Sequence, residues 1–315
     1  MPSEPLQKQP VFVLGHPRSG TTLVQRLLNS YGDVVIWGEH GAFLKNIAQA
    51  FYRGQDHPHL WNRPEAGPLG IMPDDKNWSV QGWMNWFNKA QWLEIYRKFM
   101  GLCFLSDDLP GKNFWGFREV NYITHPTEKT LEFLAQAFPD ALFIFVARDF
   151  FNVLASIKIH EKASDWRKVK SYAERWKFQN QELWKWHNSG KIKSYWLRYA
   201  DFIEGRGELL NLLAAMGKNF GDTQRQILDS KFGRGTSFYN KATDTEYNER
   251  WQSLPFLWRA LGLAAAGKLN QELGFANPPA DNAFLFLGRL MLGLQEHFHK
   301  TDTVFRQLFA KAGKP

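Results

Sequence analysis

The chain has 315 residues, one cysteine, and 39 Lys and Arg against 31 Asp and Glu, for a formal net charge of +8. That length supplies one large domain or two modest ones with an ample core, and a single cysteine excludes an internal disulfide framework. The basic balance suits an anionic ligand, but no arginine-rich arm, zinc-ligand spacing or RNP-type sequence marks a nucleic-acid reader, and no apolar run approaches the roughly 18 residues that cross a membrane.

The opening MPSEPLQKQP is short and polar and lacks the apolar core of a signal peptide; with the lone cysteine this predicts a cytoplasmic protein. The apolar run Val11 to Leu14 then reads as a short buried strand bounded by Gly15. After Pro17 and Gly20 come Thr21 and Thr22, with Leu23, Val24, Leu27 and Leu28 at helical spacing. A strand, a glycine-bounded loop and a helix N-terminus make a phosphate cradle, because unpaired backbone N–H groups and the helix dipole converge on an anion. The loop has the spacing of the nucleotide-binding motif GxxxxGK[ST], but Thr21 stands where the lysine belongs and the positive charge sits inside the loop as Arg18. An ordinary strand-to-helix turn has the same punctuation.

DVVIW, Asp33 to Trp37, reads as a second strand ending at Gly38, Glu39 and His40, which puts Glu39 beside the cradle in a parallel sheet. Glu39 suits equally a cap on the helix expected over Ala42 to Phe51, and His40 is either a base or a solvated loop histidine. From about 53 to 112 the character changes to a Pro- and aromatic-rich insertion, in which QGWMNWFNKAQWLEIYRKF reads as a helix. Its Trp83, Trp86, Phe87 and Trp92 suit core packing or the wall of an acceptor pocket, and Cys103 in GLCFL reads as a buried packing residue. His57 and His59 flank Pro58 without a carboxylate or cysteine to complete a metal site, so no metal is expected there.

NFWGFREVNYI, Asn113 to Ile123, is strand-like and bears Arg118 and Glu119. A helix is expected over Thr127 to Phe138, then a central parallel strand in ALFIFVARD, with Arg148 at its carboxyl end, where ligands bind open α/β sheets. Ser156 follows two turns into the next helix. Asp149 comes slightly late for the magnesium-binding aspartate of an NTPase. An ion pair with Asp149 is the plain alternative for Arg148.

In these pieces and in their order the chain resembles the sulfotransferases that use 3'-phosphoadenosine 5'-phosphosulfate (PAPS), most of all the bacterial and tyrosylprotein-sulfotransferase-like branch. HPRSGTTLVQRLL is similar to the family's 5'-phosphosulfate loop, and VARDFFNVLASIKIH to its 3'-phosphate segment. The resemblance implies an α/β fold: a P-loop-type three-layer domain with a central parallel sheet, a helical aromatic-rich insertion and a helical C-terminal tail, all one domain over 1–315. It assigns Arg18, Ser19, Gly20, Thr21 and Thr22 to the 5'-phosphosulfate, Arg148 and Ser156 to the 3'-phosphate, and Glu39 to the general base. WGFREV resembles a segment in which a lysine contacts the transferring group; Arg118 holds that position and keeps the charge with a different reach. Tyr199 in LRYADFIE matches a family tyrosine, and RGTSFYNKATDTEYNERW resembles a cofactor-closing loop in which Lys241 matches the lysine, while Gly235 leaves Thr236 or Ser237 for the serine.

Sulfuryl transfer needs an aligned acceptor, a base and cations at the leaving oxygen, which Glu39, Arg18 and Arg118 would supply without a metal. A carboxylate base would need partial burial to raise its pKa toward neutrality. The products expected are 3',5'-diphosphoadenosine (PAP) and a sulfated small molecule, glycan or lipid. A nucleotide-dependent kinase and a non-catalytic nucleotide or polyanion binder are the other readings. Over 281–315, Phe284, Leu287, Met291, Leu294 and Phe298 form a stripe, followed by Val304, Phe305, Leu308 and Phe309; it suits docking on its own domain, a homodimer contact or attachment to a membrane surface.

Overall fold

The computed structural model describes residues 8–56, 89–104, 111–123, 129–160, 165–229, 250–279, 282 and 284–294. Five strands, β1 (Gln9–Gly15), β2 (Val34–Trp37), β3 (Phe114–Glu119), β4 (Leu142–Ala147) and β5 (Lys193–Arg198), form a parallel sheet in the order β2-β3-β1-β4-β5, flanked by helices. Each apolar run read from the sequence up to Ala147 has become a strand of this sheet. β4 is buried at all six of its residues, as a strand covered on both faces must be. The register pairs Val11 with Gly116 and Leu14 with Glu119 in β1 and β3, and Trp37 with Phe117 in β2 and β3.

The helices are α1 (Thr21–Leu28), α2 (Leu44–Asp56), α3 (Lys89–Phe104), α4 (Thr130–Ala137), α5 (Phe150–His160), α6 (Val169–Asn188), α7 (Tyr199–Ile203), α8 (Glu208–Ala215), α9 (Asp222–Asp229) and α10 (Phe256–Glu272). Cα packing divides the chain into two compact units. One comprises Met1–Leu14, Val24–Ile144 and Trp186–Tyr195; the other comprises Gly15–Leu23, Phe145–Lys185 and Trp196–Pro315.

Aromatic rings dominate the core of the first unit. Phe12 packs on Phe117, Phe138 and Phe143 with centroids 4.7, 5.7 and 5.4 Å away, within the range in which edge and tilted ring pairs attract. α2, α3 and α4 meet through Phe51, Tyr96 and Phe133. Trp92 belongs to that packing: its indole N–H donates to the Phe51 carbonyl at 3.1 Å, and its ring lies where a side chain at Gly54 would have to go. Trp83, Trp86, Phe87, His57 and His59 lie outside the described residues. Cys103 is exposed, against expectation, because the buried residues at this end of α3 are Met100 and Phe104 and the thiol falls between them on the outer face.

In the second unit, α10 is buried along most of its length, and Asn270 accepts the Phe150 N–H at 2.9 Å. A helical stretch over 284–294 docks on α10: Phe284 packs edge-on against Phe256 at 4.7 Å, and a Cβ at Gly288 would lie 2.3 Å from the Ala260 carbonyl. The buried line thus runs through Phe284 and Gly288, whereas Leu294 of the expected stripe is exposed. Phe298 and the residues from 295 onward lie outside the described residues. No described helix is long and apolar enough to cross a membrane.

Candidate active site

Two clusters of polar side chains stand at the carboxyl ends of the strands, and the second unit holds the first of them. β1 ends at Gly15, where a Cβ would lie 2.6 Å from the Val146 carbonyl, so only glycine lets the loop leave here. Arg18 has φ 70 and Gly20 φ 103. A left-handed arginine costs about 1–2 kcal/mol, so surrounding contacts must hold it. They do: Arg18 Nε donates to Ser156 Oγ at 3.0 Å, and the Arg18 carbonyl accepts from Arg148 Nη1 at 3.3 Å. Residues 138 positions apart are thereby joined.

Arg148 is 3% exposed. Its guanidinium lies 4.6 Å from the centre of the Tyr199 ring, a cation–π contact, and the Trp176 indole N–H donates to its carbonyl at 3.1 Å. The other flank of Tyr199 covers Gly20, where a Cβ would meet the ring at 2.4 Å. Ser19 is buried, and its Oγ has no hydrogen-bond partner among the described residues. Thr21 is buried at the first position of α1 and Thr22 is half-buried beside it. The first N–H groups of a helix have no partner within it, so this turn presents donors to an anion. Asp149 caps α5, accepting from the Asn152 N–H and side-chain amide at 2.8 Å each. Burial raises its carboxyl above the ordinary range, against the pull of Arg148 and Asn152.

The first unit holds the second cluster. Arg118, buried at the end of β3, donates Nε–H to Gln25 Oε1 at 2.9 Å and Nη1–H to the Glu39 carboxylate. Gln25 Nε2 donates in turn to the Ile36 carbonyl at 2.9 Å, so the orientation of its amide is fixed at both ends. The Glu39 side chain is 45% exposed. It is held in place by the arginine. Glu39 does not cap α2: its carboxylate goes to Arg118, and the N–H groups of Lys45, Asn46 and Ile47 in the first turn go to the Ala42 and Phe43 carbonyls. His40 is no solvated loop residue. Its ring sits among Phe43, Phe104, Phe117 and Tyr122, its Nε2 meets the Tyr122 hydroxyl, and burial lowers its pKa. Gln25 and Glu119 are the residues that sequence reasoning left without a role. The one available signal was the Arg-Glu pair at the end of a strand.

His16, beside the loop, is 2% exposed; its Nδ1–H donates to the Pro17 carbonyl at 2.6 Å, and burial pushes its pKa down to about 3. The folded pKa lies below the unfolded one, so the unfolded chain takes up the proton first. Stability should be full above about pH 6.5 and fall toward pH 3 by at most about 1.4 kcal/mol per pH unit. Urea unfolding at pH 7.5 and pH 5 is expected to show a smaller loss for His16→Asn, which keeps a donor for Pro17, than for wild type.

Thr236 and Lys241 lie outside the described residues. Among the described residues no group of three or more His, Cys, Asp or Glu could hold a metal ion.

Residues 10–222 match the model of a family described as the sulfotransferase family. No curated protein matches the sequence. Among solved structures, the sulfotransferase domain of the Synechococcus PCC 7002 olefin synthase is similar at 16% identity and a TM-score of 0.52, covering 86% of this chain and 97% of that one. A sulfotransferase domain from the curacin biosynthetic pathway also matches at 16% identity, over 90% of this chain and 97% of that one, with a TM-score of 0.45. The first likeness supports the fold.

Proposed function

The chain belongs to the sulfotransferase family, and from that premise we propose that it moves a sulfuryl group from PAPS to an acceptor hydroxyl by in-line displacement, with Glu39 as general base. The observation that carries the choice of donor is the joining of Arg18 to Ser156 and of Arg148 to the Arg18 carbonyl. Those contacts join the residues assigned to the two phosphate ends of the nucleotide in one part-buried group. The residues fit the donor in two further respects. The buried Ser19 hydroxyl has no partner among the described residues, and glycine is required at both ends of the loop.

PAPS, when bound, supplies the sulfuryl group and a phosphate leaving group. The chain's own residues do the rest. Arg18, Ser19 and the first N–H groups of α1 would bind the 5'-phosphosulfate and stabilise charge on its leaving oxygen; fixed donors of this sort are often the largest catalytic contribution. Arg148 and Ser156 would bind the 3'-phosphate, with Tyr199 orienting Arg148. Glu39 accepts the acceptor's proton. Arg118, oriented by Gln25, holds that carboxylate in place and would supply a positive charge to the reaction. Thr21 in the lysine position of the nucleotide-binding motif accords with sulfuryl rather than phosphoryl transfer.

The acceptor we propose is a small molecule, glycan or lipid hydroxyl. Incubating the protein with PAPS and a panel of phenols, sugars and hydroxylated lipids should release PAP with a dependence on one acceptor class. Failure of PAP to bind in calorimetry would remove the proposal.

A further inference from the structure

Glu119 closes β3, and its side chain is wholly buried. A buried carboxylate persists only when its lone pairs are occupied. Here they are: Oε1 accepts the N–H groups of Val120 at 2.9 Å and Asn121 at 3.2 Å, and Oε2 accepts those of Ala42 at 2.9 Å and His40 at 3.4 Å. The last two lie on either side of Gly41 (φ 66), and Ala42 (φ 55) is itself left-handed, in the loop that carries Glu39. Left-handed alanine is costly, so the backbone turn that follows Glu39 needs this acceptor.

Helix capping does not account for the contacts. A capping side chain serves the N–H groups two or three residues inside a helix, whereas Glu119 reaches residues 40 and 42, ahead of α2. The ring of His40, boxed by aromatic side chains, fixes the same loop from a second side. Arg118, the preceding residue, holds the Glu39 carboxylate itself. One strand end thus grips the loop twice: Arg118 by the side chain of Glu39 and Glu119 by the backbone beyond it.

We propose that Glu119 is a positioning residue for sulfuryl transfer, acting through the 38–42 loop to aim Glu39 at the acceptor. The inference rests on Glu39 being the base. Glu119→Gln keeps the shape but turns an NH2 group toward backbone donors. With PAPS and 2-naphthol as probe acceptor, or water where the naphthol is not used, kcat should fall about 10- to 100-fold, as for other supporting groups behind a reacting residue. The KM for PAPS should stay within about threefold, and Glu119→Asp should recover part of the loss. Added to Glu39→Gln, the Glu119→Gln change should slow turnover by no more than about twofold further, since both losses fall on one base. Independent, multiplying losses would overturn the proposal, as would a kcat for Glu119→Gln near wild type. If Glu39→Gln itself turned over normally, the base assignment would fail and the inference with it, a result distinguishable from the other two. Where the Gln variant does not fold, Glu119→Asp carries the same comparison.

Discussion

Glu39→Gln is expected to lower turnover of PAPS by about two to four orders of magnitude, the usual contribution of a positioned general base. Glutamine keeps the length of the side chain and an oxygen for Arg118 Nη1, so the arginine stays where it is and only basicity is lost. PAP should therefore bind the variant within about threefold of wild type, which separates loss of the base from loss of the donor site. A Glu39→Asp variant, basic but shorter, should fall between the two, because general base catalysis tolerates little displacement of the proton acceptor. Since the carboxylate is exposed and tied to Arg118, the acceptor hydroxyl has to approach an ion pair, not a desolvated acid. Single-turnover rates with saturating PAPS test this directly; a rate within about fivefold of wild type would place the base elsewhere.

Arg148→Met is expected to weaken PAP binding by about a hundredfold while adenosine 5'-phosphosulfate, which lacks the 3'-phosphate, loses less than about fivefold; hydrogen bonds to charged groups are worth roughly 1.5–3 kcal/mol. Methionine fills much of the arginine's volume against the Tyr199 ring, so the loss reports the charge and not a cavity. Calorimetric titration of both nucleotides into both proteins reads the result. Equal losses would mean that Arg148 supports the loop through the Arg18 carbonyl and does not bind the 3'-phosphate.

Four of the five strands were legible because they are short, largely apolar runs with sharp ends; β5, KSYWLR, has no such run and left no mark of its own. β4 in particular has no polar residue to blur its period, and the structure places it over Leu142–Ala147, within ALFIFVARD. The loop and its glycines were legible for the same reason, since steric limits on glycine leave a mark in sequence. Contacts across the chain leave none. Nothing in the letters at positions 18 and 156 says that a guanidinium will meet a hydroxyl there, and the family resemblance assigned the two residues to different phosphate ends of the nucleotide. Glu119 was opaque because its partners are backbone N–H groups, which every residue carries. His40 and Cys103 were misread for a related reason: whether a loop histidine is boxed in or a cysteine faces outward depends on which neighbours the fold brings up, here Phe104 and Phe117 around the histidine.

The packing of Tyr199 on Gly20 has a consequence for how such a site can change over generations. No side chain can be added at position 20 while an aromatic ring occupies position 199, and the same ring is the platform on which Arg148 lies. A side chain at position 20 therefore requires a smaller residue at 199 first, and that first change would remove the ring on which Arg148 lies, so the loop cannot be enlarged here without loosening the arginine.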